Sequence, residues 1–187
     1  MAIKIYIDQG HNPQNPNAGA EGNGLREQDI VYAVGIELAE LLRANDNFEV
    51  RLSRPTPESQ IGTSNTASLR QRVSDANAWG ADYFISIHTN ASSIPSANGT
   101  EAFAYSEPSA AFFLGEDIVD GISRVTGLQN RGMKVRTNLY VLRKTQMPAV
   151  LVELGFITNP SDAALMNTRP DLFAQGIYEG ILAYTNL

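Results

Sequence analysis

The chain contains only two histidines, and each follows an apolar run that is typical of a buried β-strand. His11 follows residues 3–8 through Gln9 and Gly10, and His88 ends residues 83–88. Ligands bind an open parallel sheet in the crevice at the carboxyl ends of its strands, so both imidazoles are expected at one edge. Histidine is the commonest metal ligand among side chains. Two histidines at that edge, with carboxylates nearby, therefore predict a metal site.

A third ligand is needed, because a catalytic zinc normally takes three protein ligands and keeps one position open. Glu21 and Glu27 both follow His11 closely enough to return to the same edge. Glu27 is favoured because it opens the first long helix, whose amino terminus faces the carboxyl ends of the strands in a right-handed crossover. Glu21 lies in a flexible glycine-rich stretch. Taken alone, Glu27 would be interpreted as a first-turn acid that the helix dipole stabilises.

A further carboxylate, Glu153, ends the apolar run of residues 149–153. Burying such a charge without a partner is costly, so Glu153 needs either an ion pair or a functional site. At the same sheet edge as the histidines, it could accept a proton from water at the metal. The structural alternative is a buried ion pair with Arg72 or Arg143.

Composition excludes several classes of function. The 187 residues carry a formal charge of -6, which argues against nucleic acid as the main partner, because phosphate binding needs a basic surface. The absence of cysteine excludes a thiolate nucleophile and a disulfide framework. No dinucleotide-binding glycine pattern and no Gly-x-Ser-x-Gly nucleophile elbow occur.

The chain also lacks targeting signals. No run approaches the roughly 20 apolar residues that span a bilayer, so membrane insertion is not expected. No signal peptide precedes the first strand. We therefore expect either a domain of a larger exported protein or release by a route that the sequence does not encode, such as that of a phage enzyme.

Strand and helix patterns alternate along the chain, which predicts an α/β fold. We expect a single three-layer domain over residues 1–187, with a twisted, mostly parallel sheet of about six strands and helices on both faces. The predicted strands are residues 3–8, 48–53, 83–88, 100–105, 139–143 and 149–153. The predicted helices are residues 29–44, 67–79, 109–125 and 172–184, with a short turn of helix at 161–166. Two long loops, residues 12–24 and 91–99, each follow a histidine.

Five segments of the chain match motifs of a known family in the right order. They are residues 3–12, 86–91, 98–101, 130–134 and 139–159. These segments resemble the zinc-dependent N-acetylmuramoyl-L-alanine amidases of the amidase 3 type, which are bacterial cell-wall hydrolases. The chain departs from the family at Gln9 and Asn12, where relatives commonly have Pro or Ala before the glycine and a second Gly after the histidine. Neither change touches a predicted ligand.

The resemblance implies a role for each candidate residue. His11, Glu27 and His88 would bind zinc (Zn²⁺), and Glu153 would be the catalytic acid and base. The reaction would be hydrolysis of the amide between N-acetylmuramic acid and the L-alanine of the stem peptide in peptidoglycan. The enzyme would act as a monomer, outside the cell or in the cell wall.

Other side chains near these motifs have two interpretations each. Asn12 and Asn90 could hold the imidazoles or simply shape turns. Four cations could bind carboxylates of the stem peptide, namely Arg131, Lys134, Arg136 and Arg143. For most of them solvated surface charge is the simpler interpretation. Arg143 is the exception, because we expect it beside the site.

Two other functions stay open on the sequence alone. The chain could be another zinc peptidase or deacetylase of the cell wall, or a peptidoglycan-binding module that has lost catalysis. The presence of all three presumed ligands and of Glu153 argues against the inactive module.

Overall fold

The computed structural model of the chain describes residues 2–187, which form eight β-strands and six α-helices. The strands are β1 (Ile3–Gln9), β2 (Glu21–Gly22), β3 (Leu25–Arg26), β4 (Phe48–Leu52), β5 (Tyr83–Asn90), β6 (Thr100–Ala104), β7 (Asn130–Val135) and β8 (Ala149–Phe156). The helices are α1 (Glu27–Arg43), α2 (Asn65–Trp79), α3 (Ala110–Thr126), α4 (Tyr140–Lys144), α5 (Pro160–Thr168) and α6 (Pro170–Thr185).

Six of the strands form one sheet in the order β4-β1-β5-β8-β6-β7. Every neighbouring pair is parallel except β6 and β8, which run antiparallel. Helices α1, α3 and α6 cover one face of the sheet, and α2 and α4 cover the other. The predicted three-layer α/β fold with a mostly parallel sheet is therefore confirmed.

Three features differ from the prediction. Residues 139–143 were expected to form a strand, but Tyr140–Lys144 is the short helix α4. Its neighbouring side chains Val141 and Leu142 are both buried, which a strand with one covered face does not allow. The sixth strand is instead β7, whose mostly polar sequence gives no apolar alternation because it lies at the edge of the sheet. The loop of residues 12–24 also contributes β2, which pairs with β3 in a small hairpin.

Glycines let α3 and α6 pack with their backbones in contact. A Cβ atom added to Gly176 of α6 would lie 2.5 Å from the Cα atom of Ile122 in α3. A Cβ atom added to Gly180 would lie 2.6 Å from the carbonyl oxygen of Asp117. No side chain fits at this crossing, so the glycines set the distance between the two helices.

Replacing Gly176 by alanine should lower the free energy of unfolding by about 1–2 kcal/mol, because the added methyl group overlaps backbone that cannot move aside, at a cost of about 2–3 kcal/mol. Alanine gains only about 1 kcal/mol over glycine in a helix, which is too little to offset the overlap. Urea unfolding measures the change, with Glu116→Ala at an exposed position of α3 as the control. Equal stability of Gly176→Ala and the wild type would contradict this account of the crossing.

No helix within residues 2–187 combines the length and the apolar character that crossing a membrane requires.

Candidate metal centre

The two histidines meet at the carboxyl edge of the sheet. His88 lies near the end of β5, and His11 follows β1 with a φ of 65°. Strands β1 and β5 are neighbours, and the two imidazole centroids are 4.8 Å apart. A Cβ atom on Gly10 would lie 2.6 Å from Nε2 of His88, so only glycine lets the imidazole lie against this backbone.

Glu27 joins the two imidazoles. As the first residue of α1, it places Oε2 3.1 Å from Nε2 of His11 and Oε1 3.0 Å from Nδ1 of His88. Its carboxylate is also fixed by the backbone, because Oε2 accepts a hydrogen bond from the Ala20 amide and Oε1 accepts one from the Thr89 amide. The carboxylate is therefore both buried and immobilised.

These three residues form a possible metal-binding cluster. One donor atom from each of His11, Glu27 and His88 lies within 4.8 Å of the others. Two imidazole nitrogens and one carboxylate oxygen are a donor set that suits zinc in hydrolytic enzymes. Glu21, the rejected candidate, is exposed on β2 and lies outside this cluster.

The charges in the cluster favour an ionised Glu27. Burial opposes ionisation of this carboxyl, but hydrogen bonds from His11 and His88 outweigh burial and hold its pKa well below the usual range. Burial also opposes a charge on His88, whereas the hydrogen bond and charge of Glu27 raise the pKa of that imidazole. Glu27 therefore supplies the negative charge that a bound metal cation would need.

Glu153 lies directly beside this cluster. It pairs in register with His88 between β8 and β5. Burial raises the pKa of its carboxyl to about 7, and its Oε2 atom is buried without a hydrogen-bond partner among residues 2–187. The structure therefore places beside the cluster a carboxyl that burial makes harder to ionise.

The ion-pair interpretation of Glu153 is wrong. Arg72 is buried and contacts Asp8 instead, with 2.5 Å between Nη1 and Oδ1. Arg143 is exposed on α4 and forms no ion pair within residues 2–187. Within the described residues, no cation forms an ion pair with Glu153.

Arg72 instead fixes the backbone that carries His11. Its guanidinium donates to the carbonyl oxygens of Gln9, at 2.6 Å, and of His11. Asp8 also accepts a hydrogen bond from the Ser86 hydroxyl, which ties β1 to β5 just before the two histidines. The sequence hinted at this role, because Asp8 is a charged residue at the end of a buried apolar run.

The two asparagines do not hold the imidazoles. The side chain of Asn12 bonds to backbone atoms of Pro16 and Ile61, so it shapes the loop after β1. The side chain of Asn90 donates to Glu101 at 2.8 Å. The turn-shaping interpretation therefore holds for Asn12, and Asn90 serves a second carboxylate.

Sequence reasoning missed Glu101 as a member of the site. It lies on β6 in register with Glu153 on β8, and its side chain is buried. Burial opposes its ionisation, but contacts with Lys134 and Arg131 lower the pKa of this carboxyl. The available signal was a lone acid inside the apolar run of β6.

Comparisons with known proteins agree on one family. A family model described as N-acetylmuramoyl-L-alanine amidase matches residues 5–183. The amidase CwlM of Bacillus licheniformis is 38% identical over 180 residues, which are 95% of this chain and 65% of that protein. The amidase LytC of Bacillus subtilis is 35% identical over 184 residues, or 96% of this chain and 35% of that protein. The chain thus spans about two thirds of one curated relative and about a third of the other.

A solved structure has the same fold. The N-acetylmuramoyl-L-alanine amidase from Clostridium difficile 630 superimposes with a TM-score of 0.88 at 30% sequence identity. The match covers 99% of this chain and 97% of that one. The similarity therefore extends over the whole domain rather than over isolated motifs.

Proposed function

The chain belongs to the N-acetylmuramoyl-L-alanine amidase family, and from that membership we propose that it cleaves the amide between N-acetylmuramic acid and L-alanine in peptidoglycan. The observation that carries the proposal is the convergence of His11, Glu27 and His88 beside the unpartnered carboxyl of Glu153. In this proposal residues 1–187 act as one catalytic domain.

We propose zinc as the metal of this site. When bound, zinc supplies a Lewis acid for the scissile carbonyl and makes water a better nucleophile at neutral pH. His11 and His88 would bind it through neutral imidazoles. Glu27 would contribute the negative charge, held in place by the Ala20 and Thr89 amides.

Glu153 would move the proton. Amide hydrolysis needs a group that takes a proton from the attacking water and gives one to the leaving nitrogen. Such a group works best when its pKa lies near the operating pH, and burial raises the pKa of Glu153 to about 7. Its Oε2 atom has no hydrogen-bond partner among residues 2–187, so this oxygen is not committed to another group of the protein.

The proposed substrate sets the place of action. Peptidoglycan lies outside the cytoplasmic membrane, so we propose that the domain acts in the cell wall or the extracellular medium. We also propose that it acts as a monomer, because one chain supplies all three candidate ligands and Glu153.

Digestion of purified peptidoglycan tests the proposed function. We expect free alanine amino groups to appear while the glycan strands stay intact, as measured by mass spectrometry of the soluble fragments. A chelator should stop the reaction and added zinc should restore it, and elemental analysis should find about one zinc per chain, as a single three-ligand site implies.

Each of the alternative outcomes would indicate a different activity. Release of acetate would indicate a deacetylase, and cleavage inside the peptide would indicate a peptidase. Binding to peptidoglycan without any product, in protein that carries zinc, would indicate an inactive binding module. Any of these three results would contradict the amidase proposal.

A further inference from the structure

Charged residues continue across the sheet from the metal site to its edge. His88 on β5 pairs in register with Glu153 on β8, and Glu153 pairs with Glu101 on β6. The next strand is β7, where Lys134 pairs with Phe103 of β6. These residues form a row across the sheet, which runs from the candidate metal site through Glu153 and Glu101 to the edge strand β7.

The edge strand carries an excess of positive charge on this face. Arg131 donates to Glu101 at 2.9 Å, and Lys134 contacts the same carboxylate. The guanidinium of Arg136 lies 5.0 Å from the centroid of the Phe103 ring. Lys134 and Arg136 are two residues apart and both are exposed, so both face the solvent above the row.

Arg136 has no acidic partner within residues 2–187. Three cations therefore lie close together here, and Glu101 pairs with only two of them, Arg131 and Lys134, although the whole chain carries a formal charge of -6. Such a local reversal of charge attracts anions. Arg131 is also held by the Asn98 carbonyl oxygen and the Phe156 ring and is only partly exposed. Lys134 and Arg136 are exposed, so they are the cations that a ligand can reach.

The direction of the leaving group places the peptide over these cations. Under the proposed function, Glu153 gives its proton to the alanine nitrogen, so the peptide departs on the Glu153 side of the metal ligands. Neighbouring strands are about 4.8 Å apart, which puts β7 about 10 Å beyond β8. An extended peptide advances about 3.4 Å per residue. Its second or third residue therefore comes within reach of the side chains on β7.

We propose that Lys134 and Arg136 form an anion subsite that binds a carboxylate on the second or third residue of the peptide. Glu101 positions Lys134, and Arg131 in turn holds Glu101, so neither of these two residues needs to contact the peptide. The inference rests on the proposed function, because it uses the direction in which the alanine nitrogen leaves. It adds that the enzyme selects acidic peptides.

Soluble muramoyl-peptides test the subsite. Two pairs of substrates are needed, in which the second or the third residue carries either a carboxylate or the matching carboxamide. For the wild type, we expect the carboxamide to raise KM about fivefold at one of these positions, with kcat within about twofold, since a charged contact that is partly exposed contributes modestly. The preference should shrink in high salt, because salt screens exposed charges.

Substitutions test whether Lys134 and Arg136 cause the preference for the carboxylate substrate. Lys134→Gln and Arg136→Gln should each weaken the preference, and the double variant should give about the same KM for both members of a pair. Arg124→Gln is the matched control, because Arg124 is an exposed cation on α3 that pairs with Glu179. It should leave the preference unchanged.

The results separate this inference from the function on which it rests. Cleavage of all substrates with equal KM in the wild type, or a preference that survives in the double variant, would overturn the subsite and leave the amidase intact. A change of preference in Arg124→Gln would also overturn it, since the effect would then reflect overall charge. Failure to cleave any substrate would remove both proposals together.

Discussion

Replacing Glu27 by alanine should remove bound zinc and reduce peptidoglycan hydrolysis by about 10³-fold or more, since a metal Lewis acid supplies several kcal/mol of transition-state stabilisation. Glu27 is the only anion among the three candidate ligands, and it lies within 3.1 Å of both imidazoles. Without its carboxylate, two neutral imidazoles would remain, which is one ligand fewer than a catalytic zinc normally has. Zinc content and hydrolysis rate, measured on the same preparation, check the prediction.

Glu21→Ala is the matched control for this experiment. Glu21 is an acid in the same segment, but it is exposed on β2 and lies outside the ligand cluster. We expect this variant to keep its zinc and nearly all of its activity. Loss of zinc from Glu21→Ala together with its retention in Glu27→Ala would overturn the ligand assignment. Circular dichroism of both variants ensures that loss of metal is not loss of fold.

The sequence predicts that the three candidate ligands lie close together, because each one lies at the end or the start of a strand or helix. His11 and His88 lie at the ends of apolar runs, and Glu27 opens a helical pattern. Parallel strands joined by right-handed crossovers bring such boundaries to one edge of the sheet. The sequence predicts this convergence without the order of the strands being known.

The role of Glu101 could not be anticipated in this way. It depends on β6 lying next to β8 in antiparallel register, which makes Glu101 the direct neighbour of Glu153. Nothing in the local sequence of β6 specifies its partner or its direction. The cations on β7 were visible, but their contact with Glu101 depends on the same strand order.

The partner of Arg72 could not be predicted from the sequence for a related reason. Arg72 belongs to α2, and the sequence does not say which buried acid it meets. The structure pairs it with Asp8, 64 residues away, and no cation of residues 2–187 forms an ion pair with Glu153. An apolar pattern predicts which residues are buried, whereas tertiary packing decides which buried charges pair. The acid without an ion pair is the one to which the proposed mechanism assigns the proton transfer.

Changing Glu153 to glutamine should leave zinc in place while turnover falls by about 10²-fold or more, because an amide of the same shape cannot accept the proton of the attacking water. Glu153 is outside the cluster of candidate ligands, so metal binding does not depend on it. Zinc analysis together with kcat on a soluble muramoyl-peptide checks both parts. Normal turnover would mean that Glu153 is structural, and loss of zinc would mean that it is a ligand.

The stability of the same variant gives an independent readout. The metal-free wild type must keep a carboxyl buried whose pKa burial raises from 4.5 to about 7. A raised pKa favours the folded state while the group is protonated, and this contribution is lost as the pH rises from about 4.5 through about 7. At pH 8 the metal-free Glu153→Gln protein should therefore be more stable than the metal-free wild type, by up to about 3 kcal/mol, and the two should converge below pH 4. Urea unfolding at both pH values measures the difference. If the two proteins were equally stable at pH 8, the carboxyl would not be buried and unpaired, and its proposed part in proton transfer would lose its physical basis.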